Sequence, residues 1–539
     1  MPRRARNPRA TRRPLQPYLA KHARHWKAPR AWRDVLLRPT VPLGLLALVV
    51  AALVVFPRVD ADVRGRQQQV GMQLSSAGLN RPETTRKPKK PKPARTTTTL
   101  QATTTTLQAT TTTLQATTTT SAPATAGAVT GGVGLLSKPG PSAAITCPAG
   151  AVDILPGQDI QAKINANEGS TTFCLRAGRH VPTTAYLNPG PGDVFIGEYG
   201  AVLDGQNLRA VSFSARHGSK PVTIKNLTVE NFTQHGIEGA GGWTIENNEV
   251  RQNGGDGIRL GAVNRNNYVH HNHHGGMASG FGQSGMLVEN NEIAFNNTDS
   301  VRDEPDAGGK MVAVQGADYR HNWIHDNYAT GIYCDINCYG LDIHHNLVER
   351  NAKVGIELEI SYDSQIHDNK LRGNGIVDSR CADGTKCWFT DLGGILVFDT
   401  PNVRVYGNTI EDANGHGIVG RQDHRRTCNT ADPYTGRYCR GDYVVKNLQV
   451  YNNTIKAPAE SRIYTLGDGS RSPFVLAALT GANDLSSDAY NNRFYSNGYQ
   501  VPASLGLQAN WYHWVVDKAI TWGSWQSAGQ DTEGRIVTY

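Results

Sequence analysis

From about residue 145 onward the chain is written in short apolar–polar alternations punctuated by Asn and Gly, with no sustained run of helical period. Alternation of this kind predicts β-strands with one buried face. Two elements recur. The first reads IENNEV from Ile245, VENNEI from Val288, YRHNWI from Tyr319, IHHNLV from Ile343, IHDNKL from Ile366, VYGNTI from Val405 and VYNNTI from Val450. The second reads HGIEG from His235, DGIRL from Asp256, TGIYC from Thr330, VGIEL from Val354, GGILV from Gly393 and HGIVG from His416. The step is 24 residues from Asn322 to Asn346 and 23 from Asn346 to Asn369, and longer steps mark inserted loops. This period, without a dense Leu framework, predicts one coil of a parallel β-helix rather than a leucine-rich or propeller repeat. Stacked coils fuse their inward side chains into one core, and equivalent Asn residues at the turns can form a hydrogen-bonded ladder. The repeated Asn, Gly and turn His are therefore read as structural.

Both ends fit the same architecture. Ile160 and Ile164 mark a short amphipathic helix capping the first coil, and the aromatic-rich residues 483–539 lie outside the period and read as the closing cap. With these ends, residues 145–539 resemble the pectate-lyase-like right-handed β-helix proteins. The resemblance implies an all-β fold, a right-handed parallel β-helix over 145–482, and leaves the reaction open.

Upstream the text is different. Residues 1–40 form a basic tail of charge +11, residues 41–95 add +7, and the total of +9 leaves −9 for the rest. The basic balance thus belongs to the tail and linker, and nucleic acid is not an expected partner. Val41–Phe56 is uncharged and apolar, so residues 41–57 are predicted to cross the membrane once. The bases before them place the N-terminus in the cytoplasm and the main domain outside, as a single-pass type II protein of the cell membrane. A cleaved signal peptide competes with this reading, but a forty-residue basic leader is longer than an ordinary n-region. Residues 58–140 carry a Lys/Pro run and three copies of TTTTLQA, which predict a disordered stalk. All eight cysteines lie beyond it, in sequence-order pairs Cys147/Cys174, Cys334/Cys338, Cys381/Cys387 and Cys428/Cys439. Such pairing suits an oxidising compartment. Cys334 faces inward, so bonding to Cys338 needs a turn directly after it, and a buried thiol competes.

Candidate chemistry follows from aligning the coils on their repeated Gly. After Gly331 and Gly355 the first, third and fifth residues face the core, while Tyr333, Asp335, Glu357 and Glu359 face outward. Asp335 and Glu359 are 24 residues apart and fall side by side on adjacent coils. Like charges stacked so closely destabilise a sheet, which favours a functional reason for the pair. Aligning Gly308 in the same way puts Lys310 in line with Tyr333 and Glu357. Two acids about 5 to 5.5 Å apart are what a retaining glycosidase requires.

The segment GIYCDINCYGLDIHHNLVERNAKVGIELEIS resembles the active-site region of β-helical retaining glycosidases of the β-xylosidase type, although Ile336 stands where that family has an aromatic residue. The resemblance implies Asp335 as nucleophile, Glu359 as acid/base and a polysaccharide or cell-wall glycan as partner, with no cofactor. Lys310, Tyr333, Glu357, His416, Arg421 and Gln422 are candidate substrate contacts, and Trp323 and Trp388 candidate stacking platforms. Two alternatives stay open. One is a polysaccharide lyase with Lys310 as base and Ca²⁺ held by acids, including the Asp299–Asp306 insertion. The other is a non-catalytic wall-binding or adhesion module. A metal at the His270–His274 turn is a weak reading, because turn histidines recur at other corners.

Overall fold

The computed structural model describes residues 132–215, 220–279, 283–299, 307–375, 389–428, 439–459, 464–465, 471–472, 474–507, 510–515 and 519–539. The basic tail, the predicted membrane span, the stalk up to residue 131, Cys381, Cys387 and Trp388 lie outside them. Among the described residues no helix is long and apolar enough to cross a membrane.

Each coil contributes one strand to each of three sheets, of thirteen, thirteen and twelve strands among the described residues. Coil pairs to coil in parallel and in register, as where Ile343 pairs Ile366 and Ile366 pairs Val405. The fold is a parallel β-helix. Its core is a single column from Ile154 to Trp525, built mainly of inward Ile, Val, Leu and Phe. The capping helix Ile160–Ala166 forms where expected, with Ile160 and Ile164 buried and Asp159 accepting from the Ala162 N–H.

The doublets of the repeat have distinct jobs. The first residue makes the corner: Asn247, Asn290, His321, His345, Asp368 and Asn452 sit at φ between 51 and 56°, and Gly407 at 66°. The second is a buried Asn in a ladder running Asn248, Asn267, Asn291, Asn322, Asn346, Asn369, Asn408, Asn453, Asn497. Asp531 terminates it by accepting from Asn497. A second ladder joins Asn253, Asn272, Asn296, Asn327, Asn351 and Asn374. The repeated glycines are steric: a Cβ on Gly331 would lie 2.6 Å from the Gly355 carbonyl and 3.0 Å from Asn351 Nδ2.

On the outer face of the first sheet, charges alternate from coil to coil as Lys225, Glu246, Arg265, Glu289 and Arg320. Stacked rings of His344, His367, Tyr406, Tyr451 and Tyr495 then take over, 4.7 to 5.0 Å apart.

The structure moves several expected boundaries. Residues 132–142, mostly assigned to the stalk, form a strap along the corner between the first two sheets. Gly134 N–H donates to the His345 carbonyl, Ser137 N–H to Asn290 Oδ1, Gly140 N–H to the Asn266 carbonyl and Ser142 N–H to Asn226 Oδ1. At the other end Arg493–Tyr495, Gly498–Val501 and Tyr512–Trp514 pair in parallel with the coil before them, so the solenoid continues past residue 482. Disulfides join Cys147 to Cys174, Cys334 to Cys338 and Cys428 to Cys439. The turn that Cys334 needs is there: Ile336 and Asn337 both take left-handed φ, 54 and 61°. For the same reason Ile336 does not enter the main core but joins a satellite cluster with Ile360, Tyr362 and Tyr443.

Candidate active site

The third sheet presents two outward rows across consecutive coils. One pairs Lys310 with Tyr333, Tyr333 with Glu357 and Glu357 with Leu396. The other pairs Val312 with Asp335, and Glu359 with Phe398 and Phe398 with Arg421. The Cys334–Leu358 pairing, extended by one residue, sets Asp335 beside Glu359 at the strand spacing of about 4.8 Å. Their side chains are 15% and 14% exposed, reachable from solvent but mostly shielded.

Tyr333 faces outward yet is buried, lying under Lys310, whose Nζ is 5.0 Å from the ring centre. Its hydroxyl donates to Glu359 Oε2. Lys310 Nζ is 3.7 Å from Asp335 Oδ2. Glu359 Oε1 is 2.6 Å from Arg425 Nη1, a residue of the loop that follows the strand His416–Arg421. Arg425 is held in turn by Asp423 at 2.9 Å and by the fully buried Asp399 at 3.1 Å, over the Phe398 ring.

Stacked acids prove not to be diagnostic by themselves. Asp204 pairs with Glu230 and Asp318 with Asp342 on other faces of this solenoid. Both stacks are met by basic side chains. Arg179 Nη1 contacts both members of the first pair at 2.5 and 2.8 Å. The second pair is met by Arg320 at 2.5 Å and by His344 and His367 at 3.1 and 2.8 Å. The Asp335 site differs because a third acid, Glu357, joins the pair. Burial, reinforced by Glu359 and opposed by Lys310, pushes the Asp335 carboxyl up to about 6. Glu357 is pushed up to about 8 by burial, then by the charges of Glu359 and Asp391, and its contact is the Thr330 hydroxyl at 3.3 Å. Asp399 is likewise pushed up to about 8 by burial and by its neighbour Asp423.

An acid whose pKa rises on folding binds its proton more tightly in the folded chain. For Glu357 stability is therefore highest below the ordinary value of 4.5 and declines as pH rises toward about 8. Glu357→Gln is expected to raise the melting temperature at pH 8 and leave it unchanged at pH 4. Equal loss at both values in thermal melts would contradict this placement.

The remaining candidates divide. Arg421 lies on the second row, over Phe398 at 4.6 Å, and donates to Thr390 and Asp391 at 2.8 and 3.1 Å. His416 is fully buried beside Gly393, and Gln422 is spent inside the fold on Asp399 Oδ1, the Tyr443 carbonyl and the Val445 N–H. Neither is presented to a substrate. Trp323 stands on the second sheet, stacked on His325 at 3.9 Å, and is not part of this face. Asp299 pairs with His273 at 3.0 Å, and the rest of its insertion lies outside the described residues. Among the described residues no group of three or more His, Cys, Asp or Glu could hold a metal ion.

A family model described as "Right handed beta helix region" matches residues 210–375. No curated protein matches the chain in sequence. Solved structures do resemble it. The A-module of mannuronan C-5 epimerase AlgE4 from Azotobacter vinelandii is 15% identical with a TM-score of 0.45, over 70% of this chain and 92% of that one. A GH87 alpha-1,3-glucanase catalytic domain in complex with nigerose is 12% identical with a TM-score of 0.38, over 72% and 71%. PfbA, a surface adhesin of Streptococcus pneumoniae, is 9% identical with a TM-score of 0.36, over 65% and 85%. At these distances the likenesses carry no activity across.

Proposed function

We propose that this chain is a retaining glycoside hydrolase acting on a polysaccharide, with Glu359 as nucleophile and Asp335 as acid/base. The observation that carries the reading is the stacking of two shielded acids on adjacent coils, one strand spacing apart at the backbone, for a reaction that needs two carboxyls close together. The β-xylosidase-type resemblance gives the two roles the other way round; electrostatics favour the reversal. Glu359 accepts from the Tyr333 hydroxyl and pairs with the Arg425 guanidinium, which hold it in place. Asp335 keeps its proton to higher pH than an ordinary acid. In the first step Glu359 attacks the anomeric carbon as Asp335 gives its proton to the departing glycosidic oxygen. In the second, Asp335 takes a proton from water, whose oxygen displaces Glu359 from the sugar.

The same reading keeps the solenoid outside the cell, behind the span at residues 41–57, and the disulfides support an oxidising compartment. The lyase alternative would use Lys310 as base, and its Nζ lies 3.7 Å from Asp335 Oδ2.

Screening plant, algal and bacterial-wall polysaccharides for released product tests the class. A hydrolase yields saturated reducing ends, a lyase yields unsaturated uronates absorbing near about 235 nm, and an adhesin yields no product. On the substrate found, kcat/KM should fall above pH about 6 as Asp335 loses its proton. Lys310 lowers the Asp335 pKa, so Lys310→Met should move that limb to higher pH. A limb that stays or moves down would contradict the assignment of Asp335.

A further inference from the structure

A cleft of about 570 Å³ opens at the corner that follows the third sheet, bounded by the turns of four successive coils and by residues 440–444. It begins at Tyr362, three residues after Glu359, hence within about 10 Å along the chain. Its volume falls in the range of ligand sites, about 300 to 1,000 Å³.

The wall is a relay of side-chain amides unlike the two buried ladders. Asn402 Nδ2 donates to Asp363 Oδ1 at 2.8 Å, Asn447 Nδ2 to Asn402 Oδ1 at 2.7 Å, and Asn491 Nδ2 to Asn447 Oδ1 at 3.2 Å. Left-handed φ at Asp363, Asn402 and Asn447, 46, 58 and 54°, sets the corner from which the relay projects. Arg440 Nε fixes Asp363 from the other side at 3.2 Å, and its guanidinium lies over the Tyr339 ring. The Tyr362 hydroxyl ties the 440–444 segment down through the Gly441 carbonyl at 2.9 Å.

A relay of this kind is held in place before any ligand arrives, and it is not exhausted. Within the relay Asn402 and Asn447 each spend one N–H and one lone pair, and keep one of each. The charges on the lining balance, Asp363 and Asp442 against Arg440 and Lys446. An anion would satisfy the spare donors but strand the acceptors and meet two carboxylates. An apolar ligand would satisfy neither set. A neutral polyol, donor and acceptor at every hydroxyl, satisfies both.

We infer that this cleft is a subsite for neutral sugar residues, which binds a stretch of glycan chain next to the Asp335/Glu359 pair. It deepens the hydrolase reading by making the substrate an uncharged oligomer or polymer rather than a uronate.

The test uses the full-length protein carrying Asp335→Asn to stop turnover, titrated calorimetrically with neutral xylo-, gluco- and manno-oligosaccharides of two to six residues and with oligogalacturonates. At least one neutral series should bind, more tightly with length. Filling the cleft by Lys446→Trp or by Asp442→Trp, both at exposed positions, should weaken that binding at least about tenfold with the melting temperature unchanged. Binding of oligogalacturonates alone, no binding of any neutral series, or equal affinity in both filled variants would overturn the subsite. The two readings fail separately. If the wild type releases no product from any polymer yet filling abolishes oligosaccharide binding, the hydrolase falls and the subsite stands. If product is released and filled variants bind as the parent does, the reverse holds.

Discussion

Glu359→Gln and Asp335→Asn are each expected to lower kcat for polysaccharide hydrolysis by about 10³-fold or more, with the fold intact. Each change preserves shape and removes the charge or proton the reaction uses. Their secondary effects should differ because the roles differ. Asp335→Asn leaves the nucleophile in place, so an activated aryl glycoside, whose leaving group needs no proton, still forms the covalent intermediate. Added azide should then restore turnover and give a glycosyl azide of retained configuration. Glu359→Gln removes the nucleophile, and azide attack on the intact glycoside should give the inverted product. Stability should move the other way from activity. The raised Asp335 pKa means the charged carboxyl opposes folding above pH about 6, so Asp335→Asn should melt at a higher temperature at pH 7 than the parent. Reversed azide stereochemistry would exchange the two roles, and unimpaired hydrolysis in both variants would remove the pair from the reaction.

The largest effect on stability is expected from the Asn ladder. Asn346 is fully buried, and its Nδ2 donates to Asn369 Oδ1, the Tyr319 carbonyl and the His344 carbonyl at 2.8 to 3.0 Å. Its Oδ1 accepts both the backbone N–H and the Nδ2 of Asn322, at 3.0 and 2.9 Å. Asn346→Ala strands those groups on two neighbouring coils where water does not reach. A cost of about 3–5 kcal/mol is expected. Urea unfolding should show the midpoint falling with the slope unchanged, and a loss under about 1 kcal/mol would mean the ladder is filled in by other means.

That ladder was legible in the sequence because its signal is periodic: Asn346 recurs at fixed offsets from Asn322 and Asn369, and a period of 23 or 24 fixes the register of everything on the same strand. Lys310, Tyr333, Glu357 and the acid pair were placed by the same register. What register gives is a direction, not an exposure, and so Tyr333 points outward and is nonetheless buried beneath Lys310. Residues off the period were beyond its reach. Arg425 comes from an inserted loop tied back by Cys428–Cys439, and Asp399 is a corner residue at φ 49°, so neither belongs to a repeated strand position. His416 opens the right strand on its buried side and Gln422 follows its last residue, so neither takes an outward position. The last coil reads as a cap in the sequence because its aromatic density hides the alternation; Phe494 and Tyr499 are among its inward residues.

Trapping the covalent intermediate tests the central claim most directly. The wild-type protein would be incubated with a 2-deoxy-2-fluoro glycosyl fluoride of the sugar it releases, digested, and its peptides weighed and sequenced by mass spectrometry. A fluoroglycosyl ester on Glu359 is the result the geometry predicts. An ester on Asp335 would contradict the assignment of roles, and the absence of any adduct together with a product of inverted configuration would contradict the retaining mechanism itself.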